Sequence, residues 1–193
     1  MQKLFFFMAL VLVFSSSAFA QHTGQEHGEE AVFHPHHTFG LVISHTQVSE
    51  GVSEGGKRKW LSLPSWGLNY NYKFSPKWAI GLHTDIITES FKVDEHLNGS
   101  SNEVIERSSP VATALMASFK PGEHFIFLLG GGGEFAHAAN YLLIRLGLEY
   151  EYHLNKNWEL NANITNDLKV NAYNSWSVGM GITKIFQSKK HPL

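Results

Sequence analysis

Five of the chain's twelve histidines, His22, His27, His34, His36 and His37, lie between Gln21 and Thr38, interleaved with Glu26, Glu29 and Glu30. Neutral imidazole binds zinc or copper, and carboxylates can complete a coordination shell. The candidate metal ligands are His34, His36 and His37. In an extended chain the first two share a side and the third takes the other, so the three need a bend to converge. A second set, Lys73, His83, Asp85, Glu134, Arg145, Glu149 and Asp167, joined by Glu89, Lys120, Glu151, Glu159 and Lys169, is scattered along segments that otherwise read as apolar. Groups of opposite charge so placed are expected either to pair as a lumen charge network or to line a narrow ion path. A third set, Lys57, Arg58 and Lys59, is a local cationic patch. Acyl-transfer chemistry would need a serine, a histidine and a carboxylate meeting at one place. Ser44 and His45 are neighbours and face opposite ways on a strand, while Ser90, Ser109 and Ser177 sit in no selecting motif.

Composition narrows the classes. There is no cysteine, which removes thiol catalysis, disulfides and thiolate metal sites. The net charge of -2 lacks the basic surplus that phosphate backbones require, so no nucleic-acid partner is expected. Gly130 to Gly133 are not a phosphate loop, since no Lys-Ser/Thr pair follows, and they are expected to make room for large neighbours or to let a strand bend.

The elements that position these groups begin after a segment to be removed. Lys3, the apolar run Leu4 to Phe14 and the small-x-small pattern Ala18-Phe19-Ala20 read as a signal peptide over residues 1–20, cleaved before Gln21. Residues 21–36 are polar and aperiodic, a flexible leader. No later stretch is apolar for the length that a spanning helix needs, so only strands can cross a membrane. From residue 37 onward the period is two. Leu142, Ile144, Leu146, Leu148, Tyr150 and Tyr152 alternate with Arg145, Gly147, Glu149, Glu151 and His153; Trp66 to Phe74 and Trp158 to Thr165 repeat the split. Such segments fall at about 37–48, 60–74, 78–92, 109–120, 124–136, 141–154, 158–169 and 175–186, and their length suits a tilted crossing. Ser75-Pro76-Lys77, Pro121-Gly122-Glu123 and Asn155-Lys156-Asn157 make tight turns after every second strand, whereas 49–59 and 94–108 are longer polar loops at the opposite end. Aromatic residues mark the rims: Tyr72, Phe74, Trp78, Tyr150, Tyr152 and Trp158 by the tight turns, and Trp60, Tyr141 and Trp176 as an outer girdle.

The run Tyr70-Asn71-Tyr72-Lys73-Phe74-Ser75-Pro76-Lys77-Trp78-Ala79-Ile80-Gly81 resembles the aromatic, turn, tryptophan hairpins of small outer-membrane β-barrels of the OmpA and OmpX type. The resemblance extends over residues 37–186 and departs at the end, where Phe186 is followed by Gln187 to Leu193 rather than closing the chain. It implies an all-β fold, an eight-stranded antiparallel up-and-down transmembrane β-barrel in the bacterial outer membrane, with both termini periplasmic. The expected role is structural or one of surface interaction, with outer-membrane lipid and lipopolysaccharide as partners, Lys57, Arg58 and Lys59 as the lipopolysaccharide contact, and the loops 49–59 and 94–108 as the place for an external partner. The alternatives are a narrow ion or small-solute conduit, zinc or copper binding by the leader, a lipid A-modifying enzyme, and a soluble lipocalin-like barrel, which would turn the apolar stripe inward.

Overall fold

The computed structural model describes residues 33–52, 58–95, 103–155 and 157–186; the expected signal peptide, most of the leader, and the tail at 187–193 lie outside them. The strands are β1 (His36–Val52), β2 (Arg58–Lys73), β3 (Trp78–Ile87), β4 (Phe91–Glu95), β5 (Glu103–Arg107), β6 (Val111–Phe119), β7 (Phe125–Phe135), β8 (Asn140–Asn155), β9 (Trp158–Lys169) and β10 (Ser175–Phe186). Eight of them, all but β4 and β5, pair antiparallel with their neighbours. The sheet closes where β1 meets β10, from His37 opposite Phe186 to Val48 opposite Ser175. Closure leaves no barrel strand with an open edge, the condition for exposing a sheet to hydrocarbon.

The alternation decides orientation. Leu142 and Met180 are 71% and 69% exposed, whereas Glu134 and Arg145 are each 2% exposed. The apolar stripe therefore faces out and the charges face in, the reverse of a lipocalin-like barrel. The tight turns carry the chemistry that their residues imply. Ser75 Oγ accepts from the backbone N–H of Trp78 at 2.9 Å, and Asn155 Oδ1 accepts from that of Asn157 at 2.9 Å. At this end aromatic rings pack on the outer surface: His37 stacks on Tyr72 (4.9 Å between centroids), Trp78 lies on Phe119 (4.7 Å), and Lys184 covers Trp158 (4.5 Å).

Pro64 sits inside β2, where a missing N–H would ordinarily break a ladder. Its carbonyl points to β3's side and accepts from Thr88 N at 3.1 Å, just past the last β2–β3 register pair, Ser65 opposite Ile87. Both backbone groups of a strand residue face the same neighbour, so the absent N–H is directed to where that ladder has ended. Of the four consecutive glycines, Gly130 and Gly132 face the interior. A Cβ on Gly130 would lie 2.3 Å from Met116 Sδ, and one on Gly132 would lie 1.9 Å from the Thr113 carbonyl. Gly130 thus leaves room for Met116, and Gly132 for the close approach of the β6 backbone.

Three expectations need correction. Tyr141 is not part of the outer girdle, because it shares Arg145's parity along β8 and is buried inside; Trp60 and Trp176 do face outward. Glu89 lies exposed beyond β3 and outside the lumen. The segment 94–108 is no featureless loop, because its described flanks are the paired strands β4 and β5, with Phe91 opposite Arg107 and Glu95 opposite Glu103.

That hairpin takes an unusual route. The chain leaves β3, whose barrel neighbours are β2 and β6, and β4 then pairs with the far edge of β1, Val93 opposite Gly51, above the stretch of that edge held by β10. It then returns through β5 to β6. The hairpin thus crosses the barrel mouth, and Phe91 and Val93 join Val48, Leu63, Ile87, Tyr141 and Tyr173 in a buried apolar cluster beneath it.

An arginine in place of Leu146, which points to lipid from the middle of β8, should cost about 2–4 kcal/mol, against far less for alanine. Urea unfolding in lipid or detergent would read this as a lowered midpoint, and equal midpoints for the two variants would contradict the outward placement of the stripe.

Candidate functional site

The interior is built from inward-facing positions of every barrel strand, and it is two-sided. On β6, β7 and β8 the wall is apolar: Ala112, Ala114, Met116, Ile126, Leu128 and Leu143 form one buried cluster. Across the lumen the wall is polar, and asparagines stand opposite glycines in register: Asn69 with Gly40, Asn71 with Gly81, Asn161 with Gly181, Asn163 with Gly179. Gly81, Gly179 and Gly181 leave the space into which the neighbouring amide leans, while Gly40 leaves it to the Thr183 hydroxyl; a Cβ on Gly81 would meet Asn71 Oδ1. Alternation alone does not reveal this division, since a period of two separates in from out but not one inner wall from another.

Charges are stacked in three layers. In the middle, Arg145 from β8 donates to both oxygens of Asp167 on β9, Nε to Oδ1 at 2.6 Å and Nη2 to Oδ2 at 2.8 Å, while Nη1 donates to Asp85 on β3. A forked pair of this kind fixes the guanidinium plane as well as its charge. One cation thereby ties strands from opposite sides of the barrel across its axis. Towards the tight turns, Lys73 Nζ donates to Glu151 Oε1 at 2.8 Å and lies 3.4 Å from Glu159, and Lys120 also donates to Glu151. Between these layers is an enclosed cavity of about 30 Å³, lined by His83, Asn71, Glu149 and Asn161 among others, which is room for a water or two. His83 Nε2 lies 2.9 Å from Asn71 Oδ1.

The third layer lies under the hairpin. Arg107, from β5, is fully buried; it donates to Glu134 Oε1 at 2.6 Å and to the Ala139 carbonyl at 2.5 Å, with its guanidinium 4.6 Å from the Tyr141 ring centroid. Lys169 Nζ lies 3.2 Å from Glu134 Oε2 and donates to Ser175 Oγ at 2.7 Å, and the Tyr173 hydroxyl also donates to Glu134. Burial, then the carboxylate beside it, raises the Tyr173 hydroxyl well above the ordinary tyrosine value, so it stays a donor. Arg107 Nε is buried without a hydrogen-bond partner. Its face-on contact with Tyr141 is the compensation the structure offers.

All seven expected network residues, Lys73, His83, Asp85, Glu134, Arg145, Glu149 and Asp167, lie in these layers or line the cavity between them. Arg107 and Tyr173 do not figure among the sequence candidates; both lie in segments read as connections, where no period marks an inward position. The histidines do not form one site among the described residues. His36 Nδ1 is 2.9 Å from the carbonyl of His34, while His37 turns outward, its Nδ1 2.8 Å from the Tyr70 hydroxyl. Of the surface cations, Lys57 is outside the described residues, Arg58 opens β2, and Lys59 is exposed. Ser44 Oγ faces in and lies 2.8 Å from Ser65 Oγ, with His45 on the other face.

A closed, antiparallel eight-stranded barrel with an apolar exterior, aromatic rims and a charge-filled interior is a transmembrane β-barrel of the outer-membrane class. No protein-family model and no curated protein matches the sequence. Among solved structures the chain is similar to Ail, the attachment invasion locus protein of Yersinia pestis, with 13% identity over 80% of this chain and 100% of that one and a TM-score of 0.51. It is also similar to the outer membrane protein AlkL (10% identity, 90% and 100% covered, TM-score 0.52) and to OprG from Pseudomonas aeruginosa (16% identity, 80% and 96% covered, TM-score 0.50). The likeness is one of fold, that of the small outer-membrane β-barrels.

Breaking the central bridge on one side only, by Asp167→Asn, should cost about 3–5 kcal/mol, whereas replacing Arg145, Asp85 and Asp167 together with well-packed apolar residues should cost much less. Unfolding midpoints in detergent would separate the two; equal losses would mean that the layer is not acting as an ion pair.

Proposed function

We propose that the protein is an outer-membrane barrel whose role is structural and one of surface contact rather than passage of solute. The observation that carries this reading is that the lumen is shut twice along its axis, by the Arg145 bridge to Asp85 and Asp167 and by the β4–β5 hairpin held through Arg107 and Glu134. A barrel of eight strands is only wide enough for its own side chains, and beside His83 they leave a cavity of only about 30 Å³. What remains for function is the outer end, where β1 and β2 run on to Val52 and Arg58 beyond the barrel ladder and the hairpin covers the mouth.

The partner class that the residues favour is an anionic saccharide surface, lipopolysaccharide in the membrane where this fold resides. Lys57, Arg58 and Lys59, consecutive in sequence where the chain enters β2, supply the cations. Ail offers a parallel, since that protein has been seen in complex with the heparin analogue sucrose octasulfate. An enzymatic reading finds no support in Ser44, which is bonded to Ser65 and turned away from His45.

Reconstituted into planar bilayers, the purified protein should give no conductance steps, and the double variant Arg107→Ala with Arg145→Ala should give them; steps from the unaltered protein would sink the sealed-barrel reading. Replacing Lys57, Arg58 and Lys59 with alanine should weaken binding to lipopolysaccharide vesicles, with a shallower salt dependence. Unchanged affinity would remove this patch as the contact.

A further inference from the structure

The mouth on the tight-turn side is built differently from the sealed outer one. His153, near the end of β8, keeps the inward parity of Arg145, Glu149 and Glu151, and β9 pairs it with Glu159. Its Nδ1 lies 3.1 Å from Glu159 Oε1. Among the described residues, Glu151, His153 and Glu159 are the one group of three whose ligand atoms all lie within 4.8 Å of one another. Two strands and one register pair hold them, so the constellation is fixed by the ladder and not by a loop.

Each feature suits a borderline metal ion. Two ligands bound at about 2.0–2.2 Å in tetrahedral geometry stand a little over 3 Å apart, close to the separation of His153 from Glu159. A donor set of one imidazole and two carboxylates favours zinc or copper over calcium or magnesium, which prefer oxygen alone. Access and anchoring are divided: the His153 side chain is 59% exposed to the periplasmic mouth, whereas Glu159 is 2% exposed. An ion can enter from water, keep a water as its remaining ligand and still meet a buried carboxylate.

Glu149, Glu151 and Glu159 face two ammonium groups, Lys73 and Lys120. Glu149 is paired with neither lysine and has the Asn163 amide as its hydrogen-bond partner. Lys73, which reaches both Glu151 and Glu159, and Lys120, which holds the other oxygen of Glu151, are the cations with which an incoming metal must share them, and Lys73 alone touches both carboxylates.

We infer that Glu151, His153 and Glu159 form a divalent transition-metal site of zinc type at the periplasmic mouth of the barrel. This site is separate from the leader histidines, and it stands whether or not the barrel is sealed. A metal held by all three ties the ends of β8 and β9 together.

The experiment is zinc titration of the full chain in detergent, followed by calorimetry. With His22, His27, His34, His36 and His37 all replaced by alanine, the protein should still bind one zinc ion, and its thermal midpoint should rise on adding zinc. Adding His153→Ala to that background should weaken this binding by about tenfold or more and abolish the thermal shift. His153 is half in water, so its loss should leave the heat-modifiable gel migration of a folded barrel unchanged, and that migration is checked on each variant. Lys73→Met should tighten binding, since it removes a competing cation. Loss of all zinc binding with the leader histidines alone, or equal affinity with and without His153, would overturn the site.

Discussion

Hydrocarbon gives a backbone amide nothing to bond with, and the rest of this structure follows from that. The β1–β10 pairing, twelve register pairs from His37 and Phe186 to Val48 and Ser175, turns a sheet into a wall with no open barrel edge. Once closed, the wall sorts side chains by parity: positions turned to lipid are predominantly apolar, and every inward position must fit a cylinder scarcely wider than the side chains themselves. Burying Arg145, Glu134 and Asp167 is then a matter of pairing them within reach. Isolated ions there would cost several kcal/mol each in desolvation, which only a well-formed pair offsets.

The narrowness also explains where the small residues are. Glycines and alanines stand inside wherever a neighbour is large or polar. Gly130 and Gly132 give space on the side of Met116 and Leu143, and Gly40, Gly81, Gly179 and Gly181 each face an asparagine. The polar half of the lumen is thus assembled from glycine–asparagine pairs and the apolar cluster from alanine, leucine, isoleucine and methionine, while the charged layers draw on both sides, with Arg145 and Glu151 of β8 and Glu134 of β7 meeting Asp85, Asp167, Lys73 and Lys169. A lumen built this way is solid, and its ion pairs are structural joints between strands far apart in sequence, such as Asp85 and Arg145.

Much of this was legible in the residues alone because a period of two is a strong signal over a dozen positions. The eight segments, their tight turns and the inward set from Lys73 to Asp167 follow from alternation, and the observed strands begin and end within a few residues of the expected bounds, although the third segment stops at Ile87 rather than 92. Alternation loses its force where the ladder stops. Arg107 sits in a short strand beyond the barrel, and Tyr173 sits in a connection; their burial depends on the hairpin's path across the mouth, which no local pattern encodes. Tyr141 was misplaced for a related reason: its type suggests a membrane rim, but its parity with Arg145 turns it inward, and parity prevails. The Glu151, His153 and Glu159 cluster escaped notice because its members come from two strands and meet only through register.

The two ends of the barrel divide the work between them. At the outer end the strap from β3 to β1 buries Phe91, Val93 and Arg107, and the compensation for an orphaned Arg107 Nε is a tyrosine face, an arrangement that holds only while the mouth stays dry. At the inner end no strap crosses the mouth among the described residues; Lys73 and Lys120 pair with Glu151 there, and a half-exposed His153 remains in contact with water. An apolar lid over a buried cation resists solvent, whereas an open rim of imidazole and carboxylate can exchange protons and ions with it. The same closed ladder therefore ends in a dry, strapped mouth on one side and an open rim of imidazole and carboxylate on the other, with Arg145 separating them.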